Sequence, residues 1–264
     1  MRTRLTAPGA VVALLSGLVP MTFAAETPSM STVLITGSNR GIGLEFARQY
    51  AEKGWRVIAT ARDPANATEL AALVAKHSNL VVEPLDVSDN AAIDALAAKY
   101  RGEPVDVLLN NAGWLGDRDA QALDRLDYAT FEEVLRVNTY APMKLSQAFL
   151  DNVAASGQKK IIAITSGLSS LTNTTRFGSL YFYRVSKVGL NMAMRTLQAE
   201  VRGKGIKVGI LAPGVVDTRL LRQSGWTGEA LEPADSAAAV IRNIEALDNQ
   251  DAKFTLYDGT NVAW

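Results

Sequence analysis

Seven short apolar runs punctuate the chain: TVLIT (32–36), RVIAT (56–60), LVVEPL (80–85), VDVLL (105–109), KIIAIT (160–165), IKVGIL (206–211) and KFTLY (253–257). Each is rich in β-branched residues and continuous rather than alternating, the pattern of strands buried on both faces of a parallel sheet. Helical patterns fill the intervals, at about 42–53, 66–76, 89–100, 130–152, 181–203 and 233–248. Strand–helix alternation of this length predicts an α/β fold with a single doubly wound parallel sheet and helices on both faces. No Gly/Ser-rich or Pro-rich linker and no internal repeat interrupts it, so residues 30–264 read as one domain.

The first 25 residues follow a different pattern. Arg2 and Arg4 give a positive start, Ala10–Val19 is an apolar stretch of ten, and TFAAE supplies small residues for cleavage after Ala24 or Ala25. That order is the layout of a secretory signal peptide. The apolar run is shorter than the roughly 20 residues a membrane span needs, so no stable span is expected. Residues 1–25 therefore predict export to the periplasm. If Met30, two residues before the first strand, is the true start, the protein is cytoplasmic.

Composition narrows the chemistry. The chain has 264 residues, 48% hydrophobic and 20% charged, which suits a packed core rather than disorder. Lys+Arg equals Asp+Glu at 27 each, so no basic excess favours nucleic acid or an anionic membrane. There is no cysteine, which removes disulfides, thiolate metal sites and cysteine nucleophiles. His77 is the one histidine, leaving almost no material for a histidine-rich metal site or a Ser-His-Asp triad. No metal is expected, and the partner is a small molecule.

Ligands of such sheets bind at the carboxyl ends of the strands. After the first predicted strand comes TGSNRGIG, with Gly37, Gly41 and Gly43 spaced around Asn39 and Arg40. Glycines let the backbone turn tightly and approach a pyrophosphate, and the helix that follows offers its free N–H groups to the phosphates. After the second strand, where an acid would hold the ribose 2′-OH of NADH, the chain reads TARDP, with Arg62. Arg40 and Arg62 supply two guanidinium groups for a 2′-phosphate, which predicts NADPH over NADH. Asp86, in LDVSD after the third strand, is placed to accept from an adenine amino group or to cap a helix. NNAG (110–113) after the fourth strand sets amides among small residues, as suits a backbone passing close to a ligand.

Beyond the fifth strand, Tyr183 and Lys187 stand four apart at the start of a helix and share one face. An ammonium near a phenol favours the phenolate and lowers the tyrosine pKa, so that Tyr183 can give a proton to a developing alkoxide. Tyr181 has no lysine four residues on.

Taken in order, TGSNRGIG, LDVSD, NNAG, RVNTYAP, YRVSK and PGVVDT resemble the motifs of the single-domain short-chain dehydrogenases/reductases, over about 31–264. GIGLEFARQYAEKGWRVIATARDP, YFYRVSKVGLNM and YDGTNVAW are similar, more narrowly, to the C-factor-like and sniffer-like carbonyl reductases. The resemblance implies a Rossmann-type sheet and a nicotinamide cofactor. It implies Tyr183 as general acid, Lys187 as the group that tunes it and holds the nicotinamide ribose, and Asn138 as the residue that orders a water. By the same likeness Ser166 bonds the substrate oxygen. Gly37, Asn39, Arg40, Gly41 and Gly43 shape the phosphate site, with Ile42 as a backbone donor. Asp86 meets adenine, Asn110 lies along the cofactor, and Pro213, Gly214 and Thr218 border the nicotinamide. Family members often place the serine 13 residues before the tyrosine, which here is Ser170, whereas Ser166 is 17 residues away. Ser166 is preferred because it stands at the strand end, with Ser169 and Ser170 as the alternatives.

Segment 218–233 carries Leu220, Leu221 and Trp226, an apolar lid over the substrate or a contact between subunits. The expected activity is NADPH-dependent reduction of an apolar aldehyde or ketone by a homodimer or homotetramer. The alternative is a dinucleotide-binding signalling protein of the C-factor-like type with incidental catalysis.

Overall fold

The computed structural model describes residues 1, 3, 30–174 and 178–264, so the secretory-signal expectation for residues 1–25 lies, Met1 and Thr3 apart, outside the described residues. The apolar runs form β1 (Thr32–Ile35), β2 (Arg56–Ala61), β3 (Leu80–Pro84), β4 (Val107–Asn110), β5 (Lys160–Ile164), β6 (Lys207–Ala212) and β7 (Phe254–Leu256). They build one parallel sheet in the order β3-β2-β1-β4-β5-β6-β7. Val33 on β1 pairs with Val57 on one side and Val107 on the other, so the order reverses between β1 and β4. That reversal opens a crevice at the carboxyl edge of the sheet.

Nine α-helices appear among the described residues: α1 (Gly41–Glu52), α2 (Thr68–Val74), α3 (Asn90–Lys99), α4 (Tyr128–Leu135), α5 (Ala141–Ala148), α6 (Leu150–Ala154), α7 (Tyr181–Val201), α8 (Arg219–Ser224) and α9 (Pro233–Ala246). The continuous apolar strands are explained by two cores, one on each face. Val33 and Ile35 turn toward Phe46 and Tyr50 of α1, Leu70 of α2 and Ile241 of α9. Leu34, between them, turns the other way toward Ile93 of α3, Leu145 of α5 and Leu190 and Met194 of α7. Period-2 side-chain alternation thus feeds both cores from one strand.

The single helix expected at 130–152 is instead broken into α4, a π-helical turn at Arg136–Tyr140, α5 and α6. Pro142 stands in the first turn of α5, where its missing N–H removes a ladder bond. The wider turn just before it carries Asn138, fully buried.

Candidate active site

The loop between β1 and α1 is shaped by two distinct demands on glycine. Gly37 (φ 69°) and Gly41 (φ 55°) occupy left-handed backbone that only glycine adopts freely. Gly43 has ordinary backbone angles, but a Cβ there would overlap the Gly37 carbonyl oxygen and lie 2.5 Å from Asn111 Nδ2. No side chain caps α1 and its first turn has no acid, so its N–H groups and positive end face the crevice. Ile42, in that first turn, packs against the core beneath. Asn39 is half-buried beside it, and Arg40 is exposed.

The loop after β4 is riveted to this one. Asn111 N–H and Ala112 N–H both donate to Thr36 Oγ1 at 3.0 Å. The Asn111 amide donates to the Thr36 and Gly37 carbonyls at 2.8 and 3.1 Å. Asn111 is therefore the residue that shapes the glycine loop, a role the NNAG motif alone does not assign. Asn110, next to it, is buried at the carboxyl end of β4, and both polar atoms of its amide lack a partner.

Arg62 is exposed at the end of β2, and neither it nor Arg40 forms an ion pair among the described residues. Asp86 folds back on its own turn, accepting from Ser88 N–H at 2.9 Å and the Ser88 hydroxyl at 2.6 Å. Both bonds fall on one carboxylate oxygen, which leaves the other for a ligand.

Beyond β6, the Pro213 carbonyl accepts from the Ser236 hydroxyl at 2.7 Å. Gly214 (φ 86°) lets the chain turn where a Cβ would meet Tyr257 and Leu231 at 2.8 and 2.9 Å. Thr218 caps α8 through Leu221 N–H at 3.3 Å, and its methyl lies 3.3 Å from the Cβ position of Gly41. The start of α8 thus lies against the glycine loop. A cavity of about 60 Å³ opens beside this contact, bordered by Arg40, Gly113–Leu115, Arg219, Leu220 and Gln223.

At the end of β5, Lys187 Nζ donates to the Ile164 carbonyl at 2.8 Å and lies 5.8 Å from the centre of the Tyr183 ring. Burial pushes the Tyr183 phenol up to about 12, opposed by the nearby Ser166 side chain, and pushes Lys187 down from 10.5 to about 8. The lowering of the tyrosine expected from Lys187 does not appear among these causes: withdrawal from water dominates, and Ser166 supplies the opposing effect. Asn138 brackets Trp114, accepting from its N–H and donating to its carbonyl, each at 2.8 Å, and it donates to Ser186 Oγ at 2.9 Å. Asn138 Oδ1 and Lys187 Nζ each lie 3.6 Å from the Cβ position of Gly113.

The two alternative serines are otherwise engaged. Ser169 Oγ donates to the Ser166 carbonyl at 2.6 Å, and Ser170 Oγ donates to the Ala263 carbonyl at 2.6 Å. Of the expected lid, Leu220 reaches the cluster of Leu115, Leu180 and Tyr183. Trp226 does not: it is 52% exposed, with its ring N–H on the Glu229 carbonyl.

Gln121 escaped the sequence reading. Helix α7 starts after Leu180, which holds a left-handed conformation (φ 54°) and offers no cap. Gln121 supplies one from 62 residues away: its Oε1 accepts from Tyr183 N–H at 3.2 Å, while its Nε2 donates to the Leu115 and Asp117 carbonyls at 2.8 and 3.1 Å. No local pattern announces a cap so distant in sequence. Among the described residues, no cluster of acidic, His or Cys side chains is placed to hold a metal, and no helix is long and apolar enough to cross a membrane.

Comparison with known proteins agrees with this fold. A family model described as short chain dehydrogenase matches residues 31–227. The 1-hydroxy-2-glutathionyl-2-methyl-3-butene dehydrogenase of Rhodococcus sp. strain AD45 is 31% identical over 243 residues, covering 89% of this chain and all of that protein. The C-signal protein of Myxococcus xanthus is 34% identical over 171 residues, 64% of this chain and 99% of that protein. Among solved structures, the NADPH-bound carbonyl reductase from chicken fatty liver superposes with a TM-score of 0.81 at 34% identity, covering 89% of this chain and 99% of that one.

Proposed function

The chain belongs to the short chain dehydrogenase family, and from that premise we propose that it is an NADPH-dependent reductase of aldehydes or ketones. The observation that carries this reading is the meeting of three side chains at the end of β5: Lys187 Nζ lies 5.8 Å from the Tyr183 ring and bonds the Ile164 carbonyl, and Ser166 acts on the Tyr183 hydroxyl. All three stand at the sheet edge that also holds the glycine loop.

The residues fit a dinucleotide. Gly37 and Gly43 let the loop pack closely on Ala112 and let α1 approach the turn after β1, where a Cβ would clash, and the uncapped start of α1 offers donors to a pyrophosphate. The unsatisfied amide of Asn110 lies on the same edge. Exposed guanidinium groups at Arg40 and Arg62 favour the 2′-phosphate of NADPH, and the chicken reductase that this chain resembles holds NADPH. Asp86, with one carboxylate oxygen unused, suits adenine, and Pro213, Gly214 and Thr218 border the nicotinamide.

Bound there, NADPH supplies a hydride to the carbonyl carbon. The chain does the rest. Ser166 holds the carbonyl oxygen and fixes its distance from Tyr183. Tyr183, with its phenol pushed up to about 12, carries its proton at neutral pH and has one to give. Donation to the developing alkoxide yields the alcohol and leaves a phenolate in a buried site. Lys187, pushed down to about 8, gives up a proton readily near neutrality and restores the phenol. Asn138, with a lone pair of Oδ1 still free, holds a water that passes protons onward from Lys187.

Tyr183→Phe removes one hydroxyl from a packed helix. Turnover of NADPH with a panel of aromatic and aliphatic aldehydes and ketones is expected to fall by about 10²-fold or more. NADPH affinity, read by fluorescence titration, should stay within a few-fold. Near-normal turnover in the Phe variant would remove Tyr183 from this role.

A second reading, a dinucleotide-binding signalling protein, is favoured by the similarity to C-signal over almost all of that protein. NADPH binding without oxidation across the whole panel would support it.

A further inference from the structure

Tyr183, Lys187 and Asn191 stand at i, i+4 and i+8 of α7 and share one face of the helix. The reduction proposed above uses the first two and gives Asn191 nothing to do. Yet Asn191 is 3% exposed and its amide is committed at both ends. Its Oδ1 accepts from Thr165 Oγ1 at 2.6 Å, and its Nδ2 donates to Ser169 Oγ at 2.8 Å. Ser169 Oγ in turn donates a hydrogen bond to the Ser166 carbonyl at 2.6 Å. Thr165 precedes Ser166, and Ser169 closes the 3₁₀ turn that follows it. Asn191 therefore grips the chain on both sides of Ser166.

We propose that Asn191 is a positioning residue that holds Ser166 against Tyr183, by tying the turn that carries the serine to the helix face that carries the tyrosine. The inference rests on the reading of Ser166 and Tyr183 given above. The chemistry of the pair selects an amide. One partner must be accepted from and the other donated to, and an uncharged amide does so from two separate atoms that reach in two directions. Leucine offers neither bond. Aspartate keeps the Thr165 bond but competes for the Ser169 proton, and it buries a carboxylate.

The test uses the full chain as wild type, Ser166→Ala, Asn191→Ala and the double variant, assayed with NADPH and the same carbonyl panel. Asn191→Ala should lower kcat by about 10- to 100-fold, as expected when a reacting group is displaced by about 1 Å, with KM for NADPH little changed. In the Ser166→Ala background the same change should cost almost nothing further, because the residue acts through Ser166. An equal fold-loss in both backgrounds, or no loss at all, would overturn the proposal. A crystal structure of Asn191→Ala decides independently of turnover. Ser166 Oγ displaced from its wild-type place beside the Tyr183 hydroxyl, with β5 and α7 in place, supports it, and an undisplaced Ser166 Oγ overturns it. Full activity of Ser166→Ala alone is a different failure: it removes Ser166 from the reaction, while the crystal structure still judges Asn191.

Discussion

Lys187 is 3% exposed and carries its ammonium into a site where burial has moved its pKa from 10.5 to about 8. A lysine whose folded pKa is depressed confers stability in its neutral form. That stability is present above 10.5 and is lost as pH falls through about 8, because the folded state must then bury a charge. Lys187→Met removes the titration. Its stability relative to wild type, from urea unfolding, should therefore be more favourable at about pH 7 than at about pH 10. The change in that difference is the test, since losing the bond to the Ile164 carbonyl adds a constant offset. A difference that does not move with pH would contradict the shift. At this scale the Tyr183–Lys187 pair was legible, because four-residue spacing on a helix is a local signal. Gln121 and Asn191 were not, since each acts on residues distant in sequence and nothing near either one marks a cap or an anchor. The direction of the Tyr183 shift was misread for a related reason: spacing reveals the neighbouring ammonium but not the depth of burial.

Gly43 belongs to the scale of elements, because it sets how closely α1 approaches the turn after β1. Gly43→Ala keeps the backbone angles allowed but drives a methyl into the Gly37 carbonyl and the Asn111 amide. Overpacking of this kind costs about 1–3 kcal/mol. Urea unfolding of Gly43→Ala should show that loss. NADPH affinity should fall by about tenfold or more, since 1.4 kcal/mol is a factor of ten. Wild-type affinity in a folded Gly43→Ala protein would mean that the loop does not hold the phosphates. Elements with a plain period were readable: the seven apolar runs become the seven strands with ends shifted by a residue or two. The stretch 130–152 misled because its apolar spacing continues through the π turn and past Pro142. Only backbone hydrogen bonding shows the break. The lid was half legible, since the apolar character of Leu220 and Trp226 is the same in sequence while their exposure differs.

The whole molecule gathers residues from distant parts of the chain because the sheet order reverses between β1 and β4. Loops after β1, β4, β5 and β6 then meet at one edge, the first bringing the glycines, the second Asn111 and Gln121, the third Ser166 and the last Thr218. Strand–helix alternation made the parallel sheet legible, and the likeness of ordered motifs made its family legible. The central claim, hydride delivery to a carbonyl beside Tyr183, has a direct test. The full chain is given NADPH deuterated at the transferable position, or NADH so labelled, with the carbonyl panel, and the alcohols are analysed by mass spectrometry. The account predicts deuterium on the carbinol carbon, formed faster with NADPH than with NADH and absent with Tyr183→Phe. NADPH bound tightly, with no label in any product, would contradict it.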